Sequence, residues 1–167
     1  MGTSRSSPSP LRVRLVVFDL LSALVALLLA VLIYRGWRSG LWIHRLGLPF
    51  HASLARFAHA HSLPAWVRNS VPDALWQYAF AATMFAVWRG TPCSVAKAIF
   101  LTAPIAVGVF VELGQLARVM PGTFDPLDLL ASLVAGALAF VVHGGRILTA
   151  GRTPSRALRR RDVLPRT

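Results

Sequence analysis

Glu112 and Gln115 stand three residues apart inside a long apolar stretch, and Asp73 and Gln77 stand four apart at the start of another. Asp125, Asp128 and Ser132 open a third. Spacings of three and four put each set on one face of a helix, so the sets can meet if the helices pack together. An ionised carboxylate near the middle of a membrane span costs roughly 2.5–3.5 kcal/mol on insertion scales. Glu112 lies eight residues before Met120, about 12 Å below the expected end of its span, so it must be neutral, paired or watered. The chemistry open to such a cluster is hydrogen bonding to a polar headgroup. Alternatively, Glu112 serves as a general acid/base while Asp125 and Asp128 hold a divalent cation. Four of the six acidic residues belong to this group although the chain carries 18 basic ones, and that bias gives the group its weight.

Each residue also has a purely structural reading. Glu112 and Gln115 could be hydrogen-bonding glue between spans. Asp125, followed by Pro126, is a natural N-cap, and Asp128 complements the helix dipole one turn on. Asp73 can be a first-turn acid. His59 and His61 look like a metal pair, but alternate residues of a helix diverge by about 200°, and no third ligand has the right spacing. No metal or cofactor is expected, and no residue is assigned as catalytic. A lone Cys93 excludes an internal disulfide. Trp76, Tyr78 and Trp88 read as interfacial-belt or packing aromatics.

The elements that must position these residues are set by composition. At 55% hydrophobic and 14% charged, the chain is too apolar for an ordinary soluble domain of 167 residues. The pattern predicts an all-α membrane protein with four transmembrane helices, over residues 15–34, 74–88, 94–120 and 126–143. Ser70 or Val71 is expected to cap the second, with Pro72 in its first turn; Pro104 is expected to kink the third, and Pro121-Gly122 to stop it. The first apolar run follows three arginines like a secretory signal, but it is too long and meets Tyr34-Arg35 rather than a small-residue cleavage site. In the connection 35–72, Phe50, Leu54 and Phe57 recur at helical spacing between arginines, which predicts a surface amphipathic helix over 50–61. Residues 1–12 read as a disordered N-terminus, 13–145 as the membrane domain and 146–167 as a basic disordered tail.

The basic residues cluster at the chain ends and in the long loop, beside the spans, so anionic lipid headgroups are the expected partners and nucleic acid is not. With both termini and the 89–97 loop on one side, that side holds twelve of the 18 basic residues, which makes both termini cytoplasmic. The polar cluster then faces the other side of the membrane.

Over residues 70–142 the chain resembles the VanZ-like family of small bacterial membrane proteins. The resemblance is carried by Pro72-Asp73 with Gln77, by Glu112-Leu-Gly-Gln115, and by Gly122-Thr-Phe-Asp-Pro-Leu-Asp128 with Ser132 and Gly136. The family pattern is an acid opening one helix, Glu-x-x-Gln in the next, and an acid followed by Asn and then Gly in the last. Gln77 stands where many members have His and Ser132 where many have Asn, and the usual arginine before the last acid is absent. The resemblance implies a small bacterial membrane protein, expected in the inner membrane, and an association in some members with glycopeptide-antibiotic resistance. The expectation is therefore a binding protein whose pocket of Asp73, Gln77, Glu112, Gln115, Asp125, Asp128 and Ser132 takes a lipid headgroup or cell-envelope component. The alternatives are a membrane-embedded enzyme acting on a lipid-linked envelope substrate and a structural subunit of a larger complex.

Overall fold

The computed structural model describes residues 9–37 and 61–145, and these are helical with no strand among them. The elements are α1 (Pro10–Trp37), α2 (Ala65–Val87), α3 (Val95–Leu116) and α4 (Pro126–Ala139), the last continued by a π-helical turn, Phe140–Gly144. The surface helix expected over 50–61 and the tail 146–167 lie outside the described residues.

Three helices are long and apolar enough to cross a membrane, not the expected four: α1, α3, and α4 with its π-helical turn. The helix that falls short is α2, whose first three turns carry Arg68, Asn69, Ser70 and Asp73. It also begins earlier than expected. Pro64 precedes its first turn without a side-chain cap, and Pro72 lies inside the helix, where the amide it lacks leaves the Arg68 carbonyl without its in-helix donor.

Contacts between helix ends show an up-down-up-down order. The Arg12 side chain donates to the Arg89 carbonyl (2.6 Å), bringing the start of α1 to the end of α2. Tyr34, near the other end of α1, donates to Asp73. The Asp125 amide reaches Glu112 at the α3–α4 junction, and His143 returns to Asp19. One end of the bundle thus holds residue 9, the 88–94 turn and residue 145, and the other holds residue 37 and the 117–125 turn.

The centre is α2, which packs against α1, α3 and α4. Its contact with α1 is made of small side chains, Ala23 and Ala26 against Ala79 and Ala82, all 4% exposed or less. Small residues let the backbones approach, which is how helices pack where lipid leaves no hydrophobic drive between them. Leu20, Leu24, Leu28, Phe110, Val134 and Val141 face outward at 47% exposure or more. A surface of that kind suits hydrocarbon rather than water.

α3 and α4 start as the sequence dictates. Ser94 accepts from the Lys97 amide (3.2 Å), and Asp125 accepts from the Leu127 amide (2.8 Å) with Pro126 at the first helical position. α3 ends at Leu116 rather than running on to Met120. Arg118 takes a left-handed conformation (φ 58°), and the amides of Val119 and Met120 both turn back to the Gly114 carbonyl.

Candidate functional site

At the end of the bundle formed by residue 37 and the 117–125 turn lies a cavity of about 680 Å³. Its polar lining is Asp73 and Gln77 from α2, Glu112 and Gln115 from α3, and Asp128 and Ser132 from α4. Six of the seven residues singled out from the sequence are thus on one wall. The seventh, Asp125, is not: its side chain is committed to capping α4, and only its backbone takes part, the amide donating to Glu112 Oε2 (3.4 Å).

At 3.4 Å that bond is long, and it offsets only part of the cost of holding a carboxylate at 8% exposure. Glu112 sits at the N-terminus of α4, where unpaired amides and the helix dipole favour negative charge. It is also shallower than expected. With α3 ending at Leu116, it lies four residues, about 6 Å, from the helix end. Asp73, expected in a first turn, lies in the third turn of the longer α2 and receives the Tyr34 hydroxyl.

Space for the cavity comes from two glycines. A Cβ on Gly108 would sit 3.2 Å from Gln77 Oε1 and 3.4 Å from Ser132 Cβ. Gly122, at φ +123°, lets its turn pass so close to Gln115 that a Cβ would lie 2.6 Å from the amide nitrogen. Two buried polar atoms on the wall, Gln77 Nε2 and Asp128 Oδ1, have no hydrogen-bond partner. No basic side chain is among the lining residues, and three carboxylates are. Among the described residues, no three His, Cys, Asp or Glu side chains converge closely enough to hold a metal ion.

At the opposite end the structure reveals a cluster that the sequence reading passed over. Asp19 is fully buried and accepts from Arg89 Nε (2.6 Å) and Nη2 (2.5 Å) through Oδ2, and from His143 Nδ1 (2.7 Å) through Oδ1. The ring of His143 is enclosed by Phe18, Tyr78 and Phe85, and its Nε2 lies 3.0 Å from the Tyr78 hydroxyl and 3.5 Å from Ser22 Oγ. The signal that could have found it was Asp19 itself, an acid inside an apolar run, which by default demands a partner. Tyr78 and His143 were legible only as packing and span-end residues. Trp76, read as a belt or packing aromatic, lines the polar cavity.

Compared with protein-family models, with curated proteins and with solved structures, the chain matches none.

Proposed function

We propose that the chain is an integral membrane protein of VanZ-like type whose polar cavity binds the headgroup of a lipid or a cell-envelope component. The observation that carries this reading is the pair of orphaned atoms, Gln77 Nε2 and Asp128 Oδ1, buried in the wall of a cavity with room for a ligand. A buried donor or acceptor left unsatisfied costs about 1–3 kcal/mol, and a bound group carrying both functions removes that cost. With three carboxylates and no basic residue on the wall, recognition runs through hydroxyl or ammonium groups, as in a sugar or an amine-bearing headgroup, and not through phosphate. The residues that carry the family resemblance supply this same wall, and the resemblance extends the proposal to envelope or glycopeptide-antibiotic stress.

In this reading α2 is the fourth crossing. At 23 residues it is about 34 Å long, and its three helical neighbours shield it from lipid, so it needs less apolar surface than they do. Twelve of the 18 basic residues fall on the side of the termini, which supports a reading with those termini in the cytoplasm of a bacterial cell and the cavity on the far face of its inner membrane. Arginines of the first loop and the tail hold anionic headgroups. A cation-dependent enzyme is less well supported, since no three-ligand set exists among the described residues.

The test is native mass spectrometry of protein extracted from a bacterial envelope, with bound lipids and precursors identified by fragmentation. The wild type should carry an amine- or sugar-bearing amphiphile that Gln77→Leu and Asp128→Leu lose, while both variants unfold at or above the wild-type temperature. An unchanged lipid complement in both variants would refute the proposal.

A further inference from the structure

A second cavity, about 610 Å³, runs along the flank of the bundle between α1 and α4, with α2 as its floor. Its walls are apolar, built from Phe18, Val25 and Leu29 on one side and Val134 and Leu138 on the other. Alanines at 26, 74, 131 and 135 leave the room. Leu21, Val25, Val134 and Leu138 are more than half exposed, so the groove opens sideways toward whatever surrounds the helices. Only two polar side chains line it, Ser22 and Tyr78. Both of their hydroxyls lie at the same atom, Nε2 of His143.

We propose that Ser22, His143 and Asp19 form an acyl-transfer site in the wall of this groove, cleaving the ester of an amphiphile whose acyl chain lies along it. The ordering matches what a hydroxyl nucleophile needs: nucleophile, base, and a carboxylate that orients the base. Asp19 Oδ1 accepts from Nδ1–H, which leaves Nε2 of the neutral ring as the acceptor facing both hydroxyls. Asp19 is itself fixed, because Arg89 grips its other oxygen and also reaches the His143 carbonyl (3.4 Å). The ring is presented by the π-helical turn Phe140–Gly144, whose extra residue rotates later side chains by about 100°. Ser22 Oγ now donates to the Asp19 carbonyl (2.8 Å), and turning the hydroxyl proton alone redirects it to Nε2 at 3.5 Å. Catalytic hydrogen bonds are often this long before substrate enters.

The chemistry closes without a cofactor. Ser22 Oγ bonds to the ester carbon while its proton passes to Nε2, and the Tyr78 hydroxyl turns to donate to the developing oxyanion. Collapse of the tetrahedral intermediate breaks the carbon–oxygen bond to the alcohol, which leaves with the proton from Nε2. Water then attacks the acyl-serine, giving a proton to Nε2, and release of the fatty acid returns that proton to Oγ. Ester and water become acid and alcohol. Ser22 and His143 are the catalytic residues; Asp19 is a positioning residue.

The probe is a long-chain alkyl fluorophosphonate applied to the full chain in lipid nanodiscs, with a long-chain p-nitrophenyl ester as substrate. Labelling should map to Ser22 and vanish in Ser22→Ala, which leaves the buried Asp19–Arg89–His143 contacts intact, and it should persist in Thr102→Ala on the outer face of α3. His143→Gln should slow ester cleavage roughly 10²–10⁴-fold. Asp19→Asn should lower kcat per folded molecule, the folded fraction being counted by circular dichroism, while leaving KM unchanged. Absence of labelling in the folded wild type, a label on another residue, or ester cleavage that survives Ser22→Ala would overturn the site. An unchanged kcat in Asp19→Asn would remove the aspartate from it.

Discussion

Replacing Arg89 with Gln tests whether the Asp19 cluster holds the bundle together. Asp19 is 0% exposed and Arg89 3%, so neither charge is screened by solvent, and the full penalty for stranding one of them applies. In the wild type one carboxylate oxygen takes two guanidinium bonds and the other takes His143. Gln can return at most one N–H and no charge, so Asp19 loses one hydrogen bond together with its counter-ion. Breaking a buried pair on one side costs about 3–5 kcal/mol, which at 1.4 kcal/mol per tenfold lowers the folded-to-unfolded ratio by roughly two to three and a half orders of magnitude. Asp19→Asn strands Arg89 and should cost a similar amount. The double variant strands neither, keeps an amide-to-amide bond and the His143 contact, and should lose only about 1–2 kcal/mol. The assay is unfolding in mixed micelles, followed by helical circular dichroism and read as a double-mutant cycle. Two single variants within about 0.5 kcal/mol of wild type, or a double variant that loses the sum of the singles, would show that the pair is solvated or relaxed and that this account is wrong.

Gly122→Ala should destabilise the 117–125 turn by about 1–2 kcal/mol, since φ +123° disfavours any side chain and the new methyl would collide with Gln115; thermal unfolding measures the first effect and loss of the bound amphiphile the second. Cys93 is exposed in the turn between α2 and α3, on the side of the termini, so in the proposed orientation a membrane-impermeant maleimide should label it only after cells are permeabilised. Cysteines at 73, 112 and 128 in a Cys93→Ser background should crosslink pairwise with short reagents, as residues lining one cavity do, while cysteines at outward positions 110 and 134 should not. Glu112→Gln should insert and accumulate normally, because it lowers the cost of burial, yet lose the amphiphile; retention of the amphiphile would leave Glu112 as a strut for the α4 N-terminus.

What was legible in the sequence was local. Asp125-Pro126 announces α4 because the cap, the proline and the first free amides lie within three residues of each other. The expected start of α3 at residue 94 falls on the residue that caps it, Ser94. The four-residue and three-residue spacings around Gln77, Glu112 and Ser132 put each set on one helix face, because helical periodicity fixes faces before tertiary structure exists, and the three line one cavity once the helices pack. The errors came where a local rule met a tertiary contact. Pro72 is the ordinary mark of a first turn, but here packing against α1, α3 and α4 holds a helix through it. Apolar residues run on to Met120, yet the chain turns at Arg118 and folds Met120 back over Gly114, a reversal that periodicity does not register. Asp19, Arg89 and His143 are separated by 54 to 124 residues, and nothing local joins them.

Gln77 and Tyr78 are neighbours in the chain, yet one lines the polar cavity and the other the apolar groove. Consecutive residues of a helix point about 100° apart, so the rotation of α2 about its axis decides which side chain enters which space. Turning it by one position would carry Gln77 to the direction of Tyr78 and Tyr78 to that of Ala79, against α1, emptying both arrangements at once. That rotation is fixed by the flat contact of Ala79 and Ala82 with Ala23 and Ala26, and by Asp73 under the Tyr34 hydroxyl. Leucine at 82, where exposure is 0%, cannot be absorbed without moving α1 or turning α2. Overpacking of this kind costs about 1–3 kcal/mol, modest enough for the protein to persist. Ala82→Leu should therefore fold with reduced stability and lose both the bound amphiphile of the polar cavity and the Ser22 label of the groove. Ser22→Ala and Gln77→Leu should each remove only one of the two. If Ala82→Leu keeps either readout at the wild-type level, the two sites do not share α2 as their common register.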